Sequence, residues 1–250
     1  MRLLLKKELK EGWRSFRLPG LLLLGVFFAL LEPPTQKYMD EIMAMFAEGI
    51  EITMPAPTPE GAFMAFAGNI TSIFLIAAII VFMGLLTKEQ RSGISEWILT
   101  RPISRKNYIL AKQIYLMIST VLVVGVSSLI CALFTYTLLG ALNVTGFGLA
   151  VLTLVTIVLI PLVITFMTAT ITSKGGAGAA AGIGTIFIFG IMSQVLTHTI
   201  WLPSHLSQHM SQVLYQGSSS TQYWLAVGFG WLIIVVAMII TNLGYQKKEL

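Results

Sequence analysis

The sequence predicts an all-α integral membrane protein: six transmembrane helices with an interfacial amphipathic helix at the N-terminus. Three observations predict it. Only 11% of the 250 residues are charged and 56% are hydrophobic, for a mean hydropathy of +0.83, whereas soluble domains carry roughly 25% charge. Between Lys112 and Lys247 the only formally charged residue is Lys174, and uncharged stretches that long suit several helices of about 20 residues each. Finally, the basic residues gather in alternate connections. A bundle of this size leaves no room for a second soluble unit, so residues 1–250 form a single transmembrane domain.

Residues 1–17 read as an amphipathic helix. Leu5, Leu9, Trp13 and Phe16 share one face, and Lys6, Lys7, Lys10, Arg14 and Arg17 occupy much of the rest. Such a helix lies in the membrane interface with its cations on anionic lipid, which makes membrane lipid an expected partner. The basic-then-apolar start mimics a signal peptide. Its apolar run ends in Glu32-Pro33-Pro34 with no small-residue cleavage site, so it reads as a retained helix.

The first span, 18–31, has 14 uncharged residues and needs snorkelling Arg14 and Arg17 to cross. The extracytoplasmic connection 32–62 holds Glu32, Asp40, Glu41, Glu48, Glu51 and Glu60 against Lys37 alone. Within it, Ile42, Met43, Phe46 and Ile50 predict a short amphipathic helix on the outer surface, ended by Pro55-Ala56-Pro57-Thr58-Pro59. Spans two to six are predicted over 63–87, 113–139, 149–172, 177–197 and 223–244. Segment 88–112 links spans two and three. Tight turns follow at Gly140 to Gly148 and at Ser173-Lys174-Gly175-Gly176. The extracytoplasmic connection 198–222 carries Pro203, His198, His205 and His209.

Six spans put the N-terminus, 88–112, the 173–176 turn and the C-terminus on one side. That side holds 15 of the 16 Lys and Arg residues, leaving Lys37 opposite. The basic side is cytoplasmic under the positive-inside rule, which gives a multi-pass protein of the plasma or inner membrane with both termini inside. Were the first span not to cross, six bases would change sides and the asymmetry would collapse.

Several functions are excluded or weakened. The net charge of +5 follows from cytoplasmic bases rather than from nucleic-acid binding. Cys131 is the single cysteine, so no intrachain disulfide forms. No lysine is followed by Ser or Thr, so there is no P-loop, and no His-Glu-x-x-His or Gly-x-Ser-x-Gly motif occurs. The chain is expected to be no enzyme and to bind no cofactor. Acids are absent from the interior of every predicted span, which weighs against an ion-coupled transporter. Gly178 and Gly182, four apart, form a small-residue face for helix packing, since phosphate cradling also needs the missing lysine and hydroxyl. His205 and His209 have a spacing that brings two imidazoles to one metal. With no third ligand evident, they read as a polar stripe on a short external helix whose Leu206 and Met210 face the membrane.

The informative stretch is 88–112, KEQRSGISEWILTRPISRKNYILAK. Glu89 to Leu99 has helical character, with Ile94, Trp97 and Ile98 available to pack. Pro102 breaks the helix and Ser104 caps the next. A short charged helix is thus expected to project between spans two and three.

This segment resembles the signature stretch of ABC-2 type transporter permeases. That pattern runs from an acid, through a glycine and a leucine-rich turn, to Pro-Ile/Val-Ser-Arg and a later lysine. Here it corresponds to Glu89, Gly93, Ile98-Leu99, Pro102-Ile103-Ser104-Arg105 and Lys112. One departure is Ile94, where a threonine is common. The resemblance implies an ABC-2 type permease fold in which 88–112 is a coupling segment docking on a separate ATP-binding cassette subunit. Glu89, Gly93, Glu96, Trp97, Pro102, Ser104 and Arg105 would carry that docking. It also implies a second permease chain, identical or a sister, with ATP and Mg in the partner. Cargo would be apolar or amphipathic (lipid, peptide or drug) and exported. The competing reading is a non-transporting membrane sensor or scaffold, motivated by the acidic 32–62 and histidine-bearing 198–222 connections.

Overall fold

A computed structural model describes residues 2–46, 56–93, 104–196 and 202–246, and the described residues contain helices and turns but no strand. In order, the helices are α1 (Arg2–Arg14), α2 (Arg17–Lys37), α3 (Met39–Phe46), α4 (Pro59–Asn69), α5 (Leu75–Phe82) and α6 (Gly84–Arg91). Then come α7 (Arg105–Leu138), α8 (Val144–Thr172), α9 (Gly175–Val195), α10 (Leu206–Gln216) and α11 (Thr221–Gln246). A π-helical turn, Ile70–Phe74, joins α4 to α5, so that α4 to α6 form one rod over Pro59–Gln90. Among the described residues, six helices are long and apolar enough to cross a membrane: α2, this rod, α7, α8, α9 and α11.

The arrangement follows from which faces are apolar all round. Most of the apolar stretch of α8 is buried, whereas most of that of α9 is exposed, so α8 is the axis and α9 a flank. Leu154, Val158, Leu159, Leu162 and Phe166 of α8 are enclosed by α7, α9, α10 and α11. α9 approaches α8 through its glycines. A Cβ on Gly178 would stand 2.6 Å from both the Thr165 carbonyl oxygen and Ala169 Cβ. One on Gly182 would stand 2.0 Å from Thr165 Oγ1. In lipid no hydrophobic drive separates helix from solvent, so such close backbone approach supplies the packing energy.

Two features depart from the sequence-based expectation. First, α2 does not stop at residue 31; it runs through Pro33 and Pro34 to Lys37. Its 21 residues reach about 31 Å, enough to cross unaided. The prolines fit helical φ but remove two backbone donors. In the final turns Thr35 Oγ1 bonds to the Leu31 carbonyl at 2.8 Å, and Asn69 Nδ2 of α4 donates to Glu32 Oε1 at 2.5 Å. Glu32 is therefore a buried acid within the first span, not a loop residue. Second, the 198–222 connection is not a surface stripe. The apolar residues of α10, Leu206, Met210, Val213 and Leu214, turn into the core rather than toward lipid. His205 and His209 are buried too, the first beside Ser204 (Nδ1 to Oγ 3.2 Å), the second edge-on to Tyr223. His198 lies outside the described residues.

The two ends of the bundle can now be told apart. One end, rich in bases, gathers α1, the end of α6, the start of α7, the Ser173-Lys174 turn and the end of α11: Gly175 sits against Met83, Gly244 against Ile171 and Tyr108 against Tyr245. The other end gathers the starts of α4 and α8 with α10, where Phe63 meets Phe147 and Gly146 meets Val213. Substitution at the α8–α9 contact tests the packing. Gly178→Ala is expected to cost about 1–3 kcal/mol through overpacking. Gly184→Ala, whose Cβ meets nothing within 4 Å, is expected to be neutral or slightly stabilising. Thermal unfolding in detergent reads both.

Candidate functional site

At the basic end the helices converge on a cluster of charges. On α7, Tyr108, Lys112, Tyr115, Leu116 and Ser119 recur at helical spacing and all are buried, so Lys112 lies on the core face. Its side chain is 1% exposed. The ammonium uses three donors: Glu89 Oε2 at 2.9 Å, Glu8 Oε1 at 3.0 Å and the Leu85 carbonyl at 3.1 Å. It also stands 5.3 Å from the centre of the Tyr108 ring, whose hydroxyl donates to Glu89. The burial is tolerable because every proton of the cation has an acceptor.

Glu89 is placed by α6. Leu85 and Leu86 are buried there, and Glu89, one turn on, faces the same interior. Immediately after α6, Gly93 takes φ +70°, the left-handed conformation that ends a helix, and Ser92 Oγ bonds back to the Glu89 carbonyl at 3.2 Å. Glu89 Oε1 accepts from Lys7 Nζ at 2.7 Å.

The third wall is α1. Its inner face is Leu5, Glu8, Leu9 and Gly12, with Glu8 and Gly12 buried. Gly12 is needed there: a Cβ would lie 1.9 Å from the Tyr115 hydroxyl oxygen. Lys7 reaches Glu8 at 3.3 Å and Glu11 at 3.6 Å, and Arg17 reaches Glu11 at 3.7 Å. Partial burial pulls the Lys7 pKa down, but its hydrogen bond to Glu89 and the charges of Glu8, Glu89 and Glu11 outweigh that and hold it above the usual lysine value. One ligand oxygen from each of Glu8, Glu11 and Glu89 lies within 4.8 Å of the others, a spacing that suits a cation. The ammonium groups of Lys7 and Lys112 already bridge these acids, so the protein supplies its own cations. Lys7, Lys112 and Arg17 balance Glu8, Glu11 and Glu89 in sign and number.

The expected docking residues are distributed around this cluster. Glu89 is at its centre and Gly93 at the turn above it. Ser104 caps α7, accepting from the Asn107 amide at 3.3 Å, and Arg105 opens that helix half-buried. Glu96, Trp97 and Pro102 lie outside the described residues. Gly178 and Gly182 stand apart, in the α8–α9 contact. Sequence reasoning missed Glu8, Glu11 and Lys7 as members of the site. The available signal was an acid, Glu8, falling between Leu5, Leu9 and Gly12 on the inward face of an otherwise basic helix.

Toward the other end, a cavity of about 310 Å³ opens between the π-helical turn, α8, α9 and α10. Met64, Thr71, Pro161, Phe189, Ser193 and Met210 are among its lining, and none of the described lining residues is charged.

Two consequences are measurable. Lys112→Met removes the buried cation between Glu8 and Glu89, leaving them only the half-exposed Lys7, and is expected to cost about 3 kcal/mol in unfolding experiments. Adding Glu8→Gln and Glu89→Gln should restore most of that loss. Because the Lys7 pKa is raised on folding, its pairing supports the fold fully below pH 10.5 and is lost as pH rises through the higher folded value. Alkaline unfolding should therefore be shifted in Lys7→Met.

A profile of ABC-2 family transporter proteins matches residues 52–246, from just before α4 to the end of α11. The chain is also 24% identical over 257 aligned residues to YxlG, an uncharacterized transmembrane protein of Bacillus subtilis (strain 168). That alignment covers 100% of this chain and 98% of the relative. With five of its six spans and the whole interhelical segment inside the matched region, the chain belongs to the ABC-2 family of transporter membrane proteins.

Proposed function

We propose that the chain is the permease subunit of an ATP-binding cassette exporter, docked through segment 88–112 on a separate subunit that hydrolyses ATP. The observation that carries this reading is the buried Glu89–Lys112 pair, 2.9 Å long, at the base of the segment. It ties the end of α6 to the start of α7, and Glu8 and Lys7 tie both to α1. A push on the segment is thereby passed to three helices at once, because a buried, fully hydrogen-bonded ion pair resists separation. Permeases of the family generally work with an ATP-binding subunit. ATP and Mg belong to that partner, and this chain contributes no cofactor site.

The basic end is cytoplasmic in this reading, since a six-span topology assigns 15 of the 16 Lys and Arg residues of the sequence to that side. Two permease chains, identical or sisters, make up the unit, and the exposed apolar residues Phe187, Ile188, Ile191 and Val195 of α9 offer a flank for the second. The uncharged cavity favours apolar or amphipathic cargo.

Affinity capture from native membranes should recover an ATP-binding subunit. Glu96→Lys and Arg105→Glu should each lower the partner's coupled ATP hydrolysis at least about tenfold, a loss of ~1.4 kcal/mol, with membrane insertion unchanged. Normal hydrolysis in both variants would refute the docking surface.

A further inference from the structure

We propose that the outer face of α1 binds the headgroup of an anionic phospholipid, and that Lys7 links occupancy of this site to the docking segment; the second part rests on the permease reading. Arg2, Lys6, Lys10 and Arg14 are four apart, so they form one row along the helix, and all four are exposed. The acids nearby are already committed. Glu8, Glu11 and Glu89 pair with Lys7, Lys112 and Arg17, three charges against three. Among the described residues, none of the four row cations has an acid within ion-pair distance. The row is thus, among the described residues, a block of uncompensated positive charge.

Its apolar neighbours identify the occupant. Leu3, Trp13 and Phe16 are 83%, 60% and 66% exposed beside the row. Large apolar side chains flanking a cationic row match the boundary between headgroups and acyl chains, whereas a soluble anion would be served by the charges alone. The helix is also anchored there. At Phe16, φ +62° turns the chain from α1 directly into the first span, so α1 ends where that span enters the bilayer.

A shallow groove of about 700 Å³ runs along Lys6, Lys7, Lys10 and Arg14, with Leu3 and Ser15. Glu11 also lines it, its charge shared between Lys7 and Arg17. Lys7 thus has two roles. It forms part of the groove wall, and its Nζ lies 2.7 Å from Glu89 at the base of the docking segment. A phosphate in the groove draws on the same ammonium that holds Glu89, so the anionic lipid content of the membrane sets how firmly α1 grips that segment.

Native mass spectrometry of the full chain in detergent, offered phosphatidylglycerol, phosphatidylcholine or inorganic phosphate, tests the site. Wild type should retain phosphatidylglycerol preferentially. Arg2→Gln/Lys6→Gln/Lys10→Gln/Arg14→Gln should bind it roughly fivefold more weakly per cation removed, with helicity kept because glutamine is a good helix former. Lys106→Gln/Lys174→Gln, which removes exposed charge elsewhere, should bind like wild type. The smaller change Lys6→Gln/Lys10→Gln should give an intermediate loss and serves if the fourfold variant fails to fold. Phosphatidylglycerol should also alter amide hydrogen exchange over residues 88–93 in wild type. It should leave that exchange unchanged in Lys7→Met at lipid concentrations high enough to offset a binding loss of about fivefold, so that the row of Arg2, Lys6, Lys10 and Arg14 is still occupied. Equal retention of both lipids, undiminished binding by the charge-depleted variants, or equivalent binding of inorganic phosphate would overturn the lipid site. Lipid-dependent exchange persisting in Lys7→Met would overturn the link. None of these measurements involves an ATP-binding partner, so their failure is distinct from failure of the permease reading.

Discussion

The architecture of the basic end depends on burying one ammonium group. Lys112 sits on the interior face of α7 with 1% of its side chain exposed. In that setting a cation is stable only if acceptors surround it, and here they come from two neighbouring elements. Glu89 and the Leu85 carbonyl fix the rod that ends in α6, and Glu8 fixes α1. Three helices are thus held in a single relative placement by one side chain. Adding a methyl at Gly12 would be enough to disturb it, because α1 would be lifted off Tyr115.

This makes α1 a helix with two unlike faces rather than a simple amphipathic one. Its inward face carries acid and glycine, and its outward face carries a cationic row beside exposed Leu3 and Trp13. The corner at Phe16, where a bulky residue is held in a left-handed conformation at a cost of roughly 1–2 kcal/mol, is sustained by the contacts on either side of it. The opposite end is built by different means. There α10 folds in against α8 and α11 through apolar and aromatic contacts, with Tyr223 hydroxyl donating to the Leu149 carbonyl at 3.0 Å.

Much of this was legible from residues alone. Charge scarcity and the placement of bases predict the spans, because both are imposed by the solvent rather than by tertiary contacts. Ser104 and Gly93 are legible as helix punctuation, since capping and left-handed turns are local. What was not legible is pairwise. Nothing in residues 1–17 names Lys112, 104 positions after Glu8, as that acid's partner. Pro33-Pro34 reads as a helix end by local rules, yet the helix runs on to Lys37 and Glu32 within it bonds Asn69, 37 positions away. Leu206 and Met210 have the right spacing for a lipid-facing stripe, and only the space left between α8 and α11 turns them inward. The family resemblance pointed to segment 88–112, but not to α1, whose Lys7 and Glu8 reach Glu89 and Lys112.

The π-helical turn at Ile70–Phe74 has a consequence for chain length. A wide turn absorbs one additional residue without rotating the halves of the rod on either side. Phe63 and Phe66 before it, and Ile79 and Phe82 after it, therefore keep their buried faces although the spacing between the two sets is out of step with a continuous α-helix. Related chains one residue shorter in this stretch would regain the ordinary helical ladder and still present the same two faces to the bundle. Alignments across the turn should accordingly open a single-residue gap there, and matching these spans residue for residue without one would misplace every contact on one side of it.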